Sequence, residues 1–127
     1  MPEITVLYAG ILGLMSIAVA FPAGRLRGRA NVSIGDGGDK ELLLAMRRHA
    51  NFVEVVPLAL IVIGLLEMNA APGWAIHALG GSLAVFRVSH ALGIKADTVK
   101  GAARALGAAG SALVMVVASI WAIVTFF

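Results

Sequence analysis

The stretch Met46–Pro57, MRRHANFVEVVP, places two arginines, a histidine, an asparagine and a glutamate beside and inside an otherwise apolar segment. A charged side chain moved into hydrocarbon is costly unless it is paired or hydrated, so ionisable groups within a membrane span usually have a function. The polar residues of this stretch are therefore the first candidates for a binding or catalytic site.

The composition indicates that this segment lies in a membrane. The 127-residue chain is 60% hydrophobic and 13% charged, with a mean hydropathy of +0.94, whereas soluble domains carry about 25% charged residues. The charge-free runs Ile4–Gly24, Met68–Phe86 and Ala105–Phe127 are each long enough to cross a bilayer as a helix. A fourth span, from about Lys40 to Leu66, carries the opening stretch. We predict an all-α integral membrane protein, a four-transmembrane-helix bundle forming one domain over residues 1–127, with helices at about 3–24, 40–68, 72–92 and 98–126.

Several classes of protein are disfavoured by simple features. The chain has no cysteine, which excludes disulfides, a cysteine-ligated metal and a cysteine nucleophile. The first apolar run is too long for a signal peptide, and Glu3 stands where a positive region would be, so we expect a retained helix. The sequence pI of about 10.0 points to an anionic membrane face or ligand and not to nucleic acid.

The basic residues predict the topology. Most of them lie in the first and third connections, whereas the short connection Glu67–Gly73 has none. By the positive-inside rule, both basic connections are cytoplasmic and both termini face the periplasm. The residues concerned are Arg25, Arg27, Arg29, Lys40, Arg47 and Arg48 in the first connection, and Lys95, Lys100 and Arg104 in the third.

One face of the second helix gathers the polar side chains. Arg47, Asn51 and Glu54 are four and three residues apart, so they share a narrow stripe on a helix. We expect this stripe to point into the bundle, and we expect Pro57 to kink the helix just beyond it. A purely structural alternative, in which Arg47 and Glu54 only fix helix packing or oligomer register, stays open.

The other helices supply possible partners at the same depth. Arg87 and His90 are three residues apart on the third helix, and Arg87 is the expected counter-charge for Glu54. Arg104 lies in the opening turns of the fourth helix. Because arginines bind carboxylates through two parallel hydrogen bonds, the cluster favours a soluble anion from the cytosol, together with a lipophilic small molecule entering from the bilayer.

Small residues predict where helices approach closely. Ala9 and Gly13 are four apart on the first helix, and Ala103, Gly107 and Ser111 follow the same spacing on the fourth. Such patterns allow tight contact between membrane helices.

Five further residues have structural interpretations. Asp39 is expected to cap the second helix, and Asp97 or Thr98 the fourth. Tyr8 is expected to be an interfacial anchor. His77 is expected to be a neutral hydrogen-bonded or interfacial histidine and not a ligand.

The pattern Arg47-x-His49-x-Asn51-x-x-Glu54-x-x-Pro57 resembles the signature of the MAPEG family, the membrane-associated proteins in eicosanoid and glutathione metabolism. The similarity covers essentially the whole chain in length, number of spans and motif. Further segments resemble the small bacterial inner-membrane branch of that family: Gly35-Asp-Gly-Gly, Glu67-Met-Asn69, Trp74, His77 and Arg87-x-x-His90-x-x-Gly93.

The resemblance implies a homotrimer of four-helix protomers in a bacterial inner membrane, surrounded by membrane lipids, with glutathione as co-substrate bound between subunits near the cytoplasmic side. In the family's enzymes, the positions matching Arg47, Asn51 and Glu54 hold the tripeptide. An arginine early in the fourth helix stabilises its thiolate; Arg104 is the candidate for this catalytic role, and Lys100 is second. The implied activity is a glutathione transferase or peroxidase reaction on a lipophilic electrophile. The full expected binding set is Arg47, His49, Asn51, Glu54, Arg87, His90 and Lys100.

The chain departs from the family's enzymes at two positions. It has Val55 and His90 where those enzymes have tyrosines, and its sole tyrosine is Tyr8. Contacts to glutathione are therefore lost. The alternative is a non-catalytic lipid-binding, ligand-binding or scaffold protein of the same fold.

Two other functions are weaker. A small proton-coupled exporter using Glu54 is disfavoured because Arg47 and Arg87 are close by. A haem anchor using His77 and His90 is disfavoured because they are separated by about 20 Å along one helix, too far to ligate one iron.

Overall fold

The computed structural model describes residues 1–94 and 101–127. These residues form four helices and no strand, which confirms the all-α prediction for the described part of the chain. The helices are α1 (Glu3–Ala30), α2 (Lys40–Met68), α3 (Gly73–Gly93) and α4 (Ala102–Val124).

Contacts between helix ends show that successive helices run antiparallel. Glu67, near the end of α2, meets the start of α1 at Ile4. Arg87, late in α3, meets Asn51, early in α2, and the end of α3 packs on the start of α4. The bundle therefore has two distinct ends. We call them the Glu67 end, which holds both chain termini, and the basic end, which holds Asn51, Arg87 and the connection between α1 and α2.

Three helices, α1, α2 and α4, are long and apolar enough to cross a membrane. The remaining helix, α3, has 21 residues and would extend about 30 Å, but it carries His77, Arg87 and His90. It packs against all three other helices, and two of its polar side chains, Arg87 and His90, are buried. That α3 also crosses the membrane stays a prediction.

Helix α1 is longer than predicted. The expected end at Gly24 is wrong, because the helix continues to Ala30 and includes the arginine run. Asn31 ends it in the left-handed conformation, with its N–H donating to the carbonyl of Arg27. The Arg27 guanidinium also donates to the carbonyls of three loop residues, Val32 (3.4 Å), Ser33 (2.9 Å) and Gly35 (3.1 Å). These contacts fold the loop back onto the last turns of α1.

The pair α3 and α4 packs closely through glycines. A Cβ on Gly107 would collide with the backbone of His90, and one on Gly110 would collide with the Phe86 ring. A Cβ on Gly93 would likewise collide with the backbone of Arg104. The predicted close approach at Gly107 is therefore confirmed, and it fixes the register of the two helices.

The small residues of α1 that were expected to allow a close approach, Ala9 and Gly13, lie in an open region of the protomer. No atom lies within 4 Å of the position that a Cβ would take on Gly13. The expected close approach at Ala9 and Gly13 is absent from the described residues; these two residues instead line an apolar groove of about 250 Å³ between α1 and α2. The apolar core lies deeper and includes Leu12, Phe52, Val56, Ile63, Leu83 and Val114.

Side-chain hydrogen bonds hold the Glu67 end together. The Glu67 carboxylate accepts from the backbone N–H groups of Ile4 (2.7 Å) and Thr5 (2.7 Å) and from the Thr5 hydroxyl (2.6 Å), and so caps α1 from another helix. The Tyr8 hydroxyl lies 3.0 Å from His77 Nδ1, and its ring packs on Gly80. Tyr8 is therefore an interhelical contact where an interfacial anchor was expected, whereas the hydrogen-bonded role of His77 is confirmed.

The start of α2 follows a local rule. The Asp39 carboxylate accepts from the backbone N–H groups of Glu41 (2.8 Å) and Leu42 (3.2 Å), as predicted for an N-cap. The alternative caps expected for the fourth helix, Asp97 and Thr98, lie outside the described residues, as does the predicted start of that helix at 98.

Candidate functional site

A pocket of about 200 Å³, with three polar side chains and one serine in a mostly apolar lining, opens between α2, α3 and α4 near the basic end. Helix α2 contributes its polar stripe, α3 contributes an arginine, and α4 contributes small residues that leave room for a ligand. The lining residues are Asn51, Glu54, Val55, Arg87, Ala108, Ser111, Ala112 and Met115.

Arg87 is the central group of this pocket. Its side chain is only 2% exposed. One terminal nitrogen donates to Oδ1 of Asn51 at 3.0 Å, and the other makes a longer contact of 3.4 Å to the Asn51 carbonyl. Its Nε is buried and has no partner among the described residues. A buried guanidinium with an unused donor is costly, because lost hydration is only partly replaced.

The expected pairing of Arg87 with Glu54 is wrong. Both residues line the pocket, but within the described ranges Arg87 bonds only to Asn51, and Glu54 is exposed. The antiparallel packing of α2 and α3 sets Arg87 beside Asn51, and Glu54 lies almost one turn further along α2. The Glu54 carboxylate thus lines the same pocket as the guanidinium without a hydrogen bond to it.

The stripe formed by Arg47, Asn51 and Glu54 does not point into the protomer. Arg47 and Glu54 are exposed and Asn51 is half-buried, so only Asn51 turns toward α3. The prediction of an inward-facing stripe is wrong because the interior side of α2 is occupied by its apolar residues, among them Phe52 and Val56. The stripe instead runs along the outer edge of the pocket.

The remaining expected site residues lie around the contact between α3 and α4. His90 is buried, with its backbone against Gly107, and Arg104 is half-buried, with its backbone against Gly93. Neither residue lines the pocket. His49 is half-buried on α2, and Lys100 lies outside the described residues. The structure therefore brings Asn51, Glu54 and Arg87 together and leaves the other expected residues outside this pocket.

Arg48 was expected only as a basic residue of the first connection and not as a residue of the site. The structure shows its guanidinium donating to the carbonyl of Ile94 at 2.6 Å, directly after α3. A cation at a helix C-terminus stabilises the unpaired carbonyls there. Its Nε is also buried without a partner among the described residues. The adjacent pair Arg47 and Arg48 could have indicated this contact from the sequence. Consecutive positions on a helix face different neighbours, so the second arginine needs a partner of its own.

Fold and pocket together define a class: a small all-helical membrane protein with a buried arginine and an exposed carboxylate in one pocket near an end of the bundle. The profile of the MAPEG family matches residues 5–124. The chain belongs to the MAPEG family.

The chain is also similar to a curated bacterial protein. It is 34% identical to the Inner membrane protein YecN of Escherichia coli strain K12 over 119 residues, which cover 93% of this chain and 91% of the relative. YecN of Escherichia coli O6:H1 strain CFT073 matches with the same identity and coverage. No solved structure matches the chain significantly.

Proposed function

We propose that the pocket binds glutathione and that the protein is a membrane-bound glutathione transferase or peroxidase acting on lipophilic electrophiles. One observation carries this proposal: Arg87 is buried with an unused Nε donor beside an exposed Glu54 carboxylate in an open pocket. Family membership agrees with it, because the family's name refers to glutathione metabolism.

The charges of the pocket fit a ligand that carries both a carboxylate and an ammonium group. The Arg87 guanidinium can donate to a carboxylate through paired hydrogen bonds, and Asn51 supplies an amide beside it. Glu54 can accept from an ammonium group a short distance away. The γ-glutamyl end of glutathione has this pair of charges on one carbon, so it satisfies both side chains together.

The size of the pocket indicates that only part of the tripeptide enters it. Its volume of about 200 Å³ is below the range of about 300–1,000 Å³ that is usual for small-molecule sites. The rest of the ligand would extend over the exposed stripe at Arg47, with His49 and His90 as further candidates for contact. We propose that a neighbouring copy in a homotrimer covers this side. The exposed apolar residues of α2 support such an interface, namely Leu58, Ile61 and Leu65.

Arg104 is the candidate for the chemical step. It is half-buried near the start of α4 at the basic end, where its positive charge would stabilise the thiolate of bound glutathione. In a transferase reaction, the thiolate sulfur bonds to an electrophilic carbon of the substrate and displaces its leaving group. In a peroxidase reaction, two glutathione molecules give two electrons to a hydroperoxide, which yields glutathione disulfide, an alcohol and water.

Thiolate absorbance tests the catalytic proposal directly. Purified protein mixed with glutathione at neutral pH in a stopped-flow instrument is expected to produce a thiolate signal. Arg104→Ala should remove the signal, and Lys40→Ala, which removes an exposed cation at the same end, should retain it. No signal in the wild type, or an unchanged signal in Arg104→Ala, would remove the catalytic role.

A non-catalytic ligand-binding protein is the second candidate. It is favoured by Val55, an apolar residue that lines the pocket at a position where the enzymes that the motif resembles carry a tyrosine hydroxyl. Glutathione binding by calorimetry without any thiolate signal would support this candidate over the enzyme.

We also propose a bacterial inner-membrane location with both termini in the periplasm. The name of the YecN relative supports the membrane, and the basic residues at one end of the bundle support the orientation. Alkaline phosphatase fused to the C-terminus should be active in cells, since it folds only in the periplasm; an inactive fusion that is nevertheless made would reverse the orientation.

A further inference from the structure

The outer face of α1 changes from apolar to basic near the basic end of the bundle. Ile17, Phe21, Arg25 and Arg29 are spaced by four residues, so they form one stripe along the helix. Ile17 and Phe21 are each 67% exposed, and both arginines are exposed. No other described helix covers this stripe within the protomer.

A shallow, open groove of about 590 Å³, lined by α1 alone, follows the stripe. Apolar or small residues form most of its lining, and Arg25 stands at one end of it. Gly24 has no atom within 4 Å of the position that a Cβ would take, so the groove stays open beside the arginine. The lining residues are Ile17, Ala20, Phe21, Gly24 and Arg25.

The middle arginine of the run holds the other two in position. Arg27 donates to the carbonyls of Ser33 and Gly35 and contacts the sulfur of Met46 at 3.4 Å, so its guanidinium is occupied by the loop and by α2. Arg25 and Arg29 have no hydrogen bond or ion pair with any residue in the ranges 1–94 and 101–127. They therefore project from an ordered helix as two adjacent, unused guanidinium groups directly after the apolar segment.

We infer that this face is a binding site for an anionic phospholipid. The phosphate binds Arg25 and Arg29, and an acyl chain lies in the groove along Phe21 and Ile17. The order of groups in a phospholipid, a charged headgroup followed by a hydrocarbon tail along the bilayer normal, matches the order of groups on the stripe. From Arg25 to Ile17 the helix rises about 12 Å, the length of several acyl carbons.

Charge and shape together select this ligand. A soluble anion would contact the arginines and leave the apolar groove empty, whereas an uncharged lipid would fill the groove and leave two guanidinium groups unused. Basic residues next to a membrane span attract anionic headgroups. The site is independent of the pocket at Arg87 and of the proposed glutathione chemistry, because the two have no lining residue in common.

Thermal unfolding in detergent tests the site with defined probes. Dioleoyl phosphatidylglycerol and dioleoyl phosphatidylcholine have the same acyl chains and differ in net charge. We expect phosphatidylglycerol to raise the unfolding temperature of the wild type at lower concentration than phosphatidylcholine. Arg25→Gln and Arg29→Gln should each weaken the binding of phosphatidylglycerol by about fivefold, in line with the usual contribution of one basic residue near an anionic surface.

Two variants separate a site from general charge attraction. Lys40→Gln removes one exposed positive charge at the same end of the bundle and should leave the preference for phosphatidylglycerol intact. Phe21→Ala keeps both arginines and should weaken the binding of both lipids, because it reduces the contact with the acyl chain. Neither Arg25 nor Phe21 belongs to the pocket at Arg87.

Four results would overturn the inference. The first is an equal response of the wild type to the two lipids. The second is an equal loss in Lys40→Gln and Arg25→Gln, which would indicate general attraction only. The third is a full effect from inorganic phosphate alone, which would assign the arginines to a free anion. If Arg25→Gln instead dissociates an oligomer without lipid, the face is an interface between copies and the lipid site is excluded.

Discussion

At the Glu67 end of the bundle, both oxygens of the Glu67 carboxylate are used: one accepts from Ile4, and the other accepts twice from Thr5. At the basic end, Arg87 leaves Nε without a partner, and Arg48 does the same. Glu54, a carboxylate that lines the same pocket as Arg87, is exposed and does not pair with it in the described part of the chain. The carboxylate at the Glu67 end therefore has hydrogen-bond partners on both oxygens, whereas the guanidinium groups at the basic end each keep an unused donor.

This difference indicates which end of the bundle can bind a ligand. A polar group with all its hydrogen bonds formed stabilises the fold and has nothing left to offer a ligand. A buried polar group with an unused donor destabilises the free protein, and such groups persist mainly where function requires them. The contrast predicts that substitutions at the Glu67 end reduce stability, whereas substitutions at the basic end reduce ligand binding.

The largest expected effect on stability is at the Glu67 end. Glu67→Ala removes three hydrogen bonds to a carboxylate and the negative charge at the start of α1, which should lower the free energy of unfolding by about 2 kcal/mol. The measurement is thermal or detergent-induced unfolding followed by the fluorescence of Trp74 and Trp121. Glu3→Gln removes an exposed negative charge from the first turn of α1 without removing a hydrogen bond to the carboxylate of Glu67, so it should lower the unfolding temperature much less. Equal effects of the two substitutions would show that the capping contact carries no stability.

A smaller change in stability is expected at the basic end. Arg87→Met replaces a buried, incompletely bonded cation by an apolar side chain of similar length, so the free energy of unfolding should change by about 1 kcal/mol or less, in either direction. Glutathione binding should be lost in the same variant. The same unfolding assay and a binding isotherm test both parts. If Arg87→Met were as unstable as Glu67→Ala, Arg87 would be a structural residue and the contrast between the ends would fail.

The smallest expected effect concerns the exposed bond between Tyr8 and His77. Tyr8→Phe removes only the hydroxyl and keeps the ring on Gly80, so the loss should be about 0.5 kcal/mol. The same loss should disappear when His77 is already alanine, because the partner is then absent. A similar cost in both backgrounds would mean that the hydroxyl acts elsewhere.

Features governed by local sequence rules could be predicted from the sequence. The N-cap at Asp39 depends on residues within one turn, and Gly107 was identified by spacing within its own helix. The polar stripe at Asn51 and Glu54 followed from helix periodicity, and the presence of Arg87 at the same depth followed from its place near the end of the third span.

Features set by contacts between distant residues could not be predicted. The cap formed by Glu67 joins positions 63 residues apart, so no local pattern indicates it. The end of α1 depends on how Arg27 binds the loop after it. Helix periodicity shows that Asn51 and Glu54 share a stripe, but the choice of Asn51 over Glu54 as the partner of Arg87 depends on how α3 is shifted along α2.

The central claim is that the unpaired charges at the basic end bind glutathione, and Glu54 offers the most direct test because it is exposed and its substitution does not disturb the core. Calorimetric titration of the wild type and Glu54→Gln with glutathione, and with an analogue that lacks the γ-glutamyl amino group, measures the contact between Glu54 and the ligand ammonium. The account predicts that either change alone weakens binding by about tenfold or more, and that both together weaken it no further. Equal affinity of the wild type and Glu54→Gln for glutathione, with the fold intact, would contradict it.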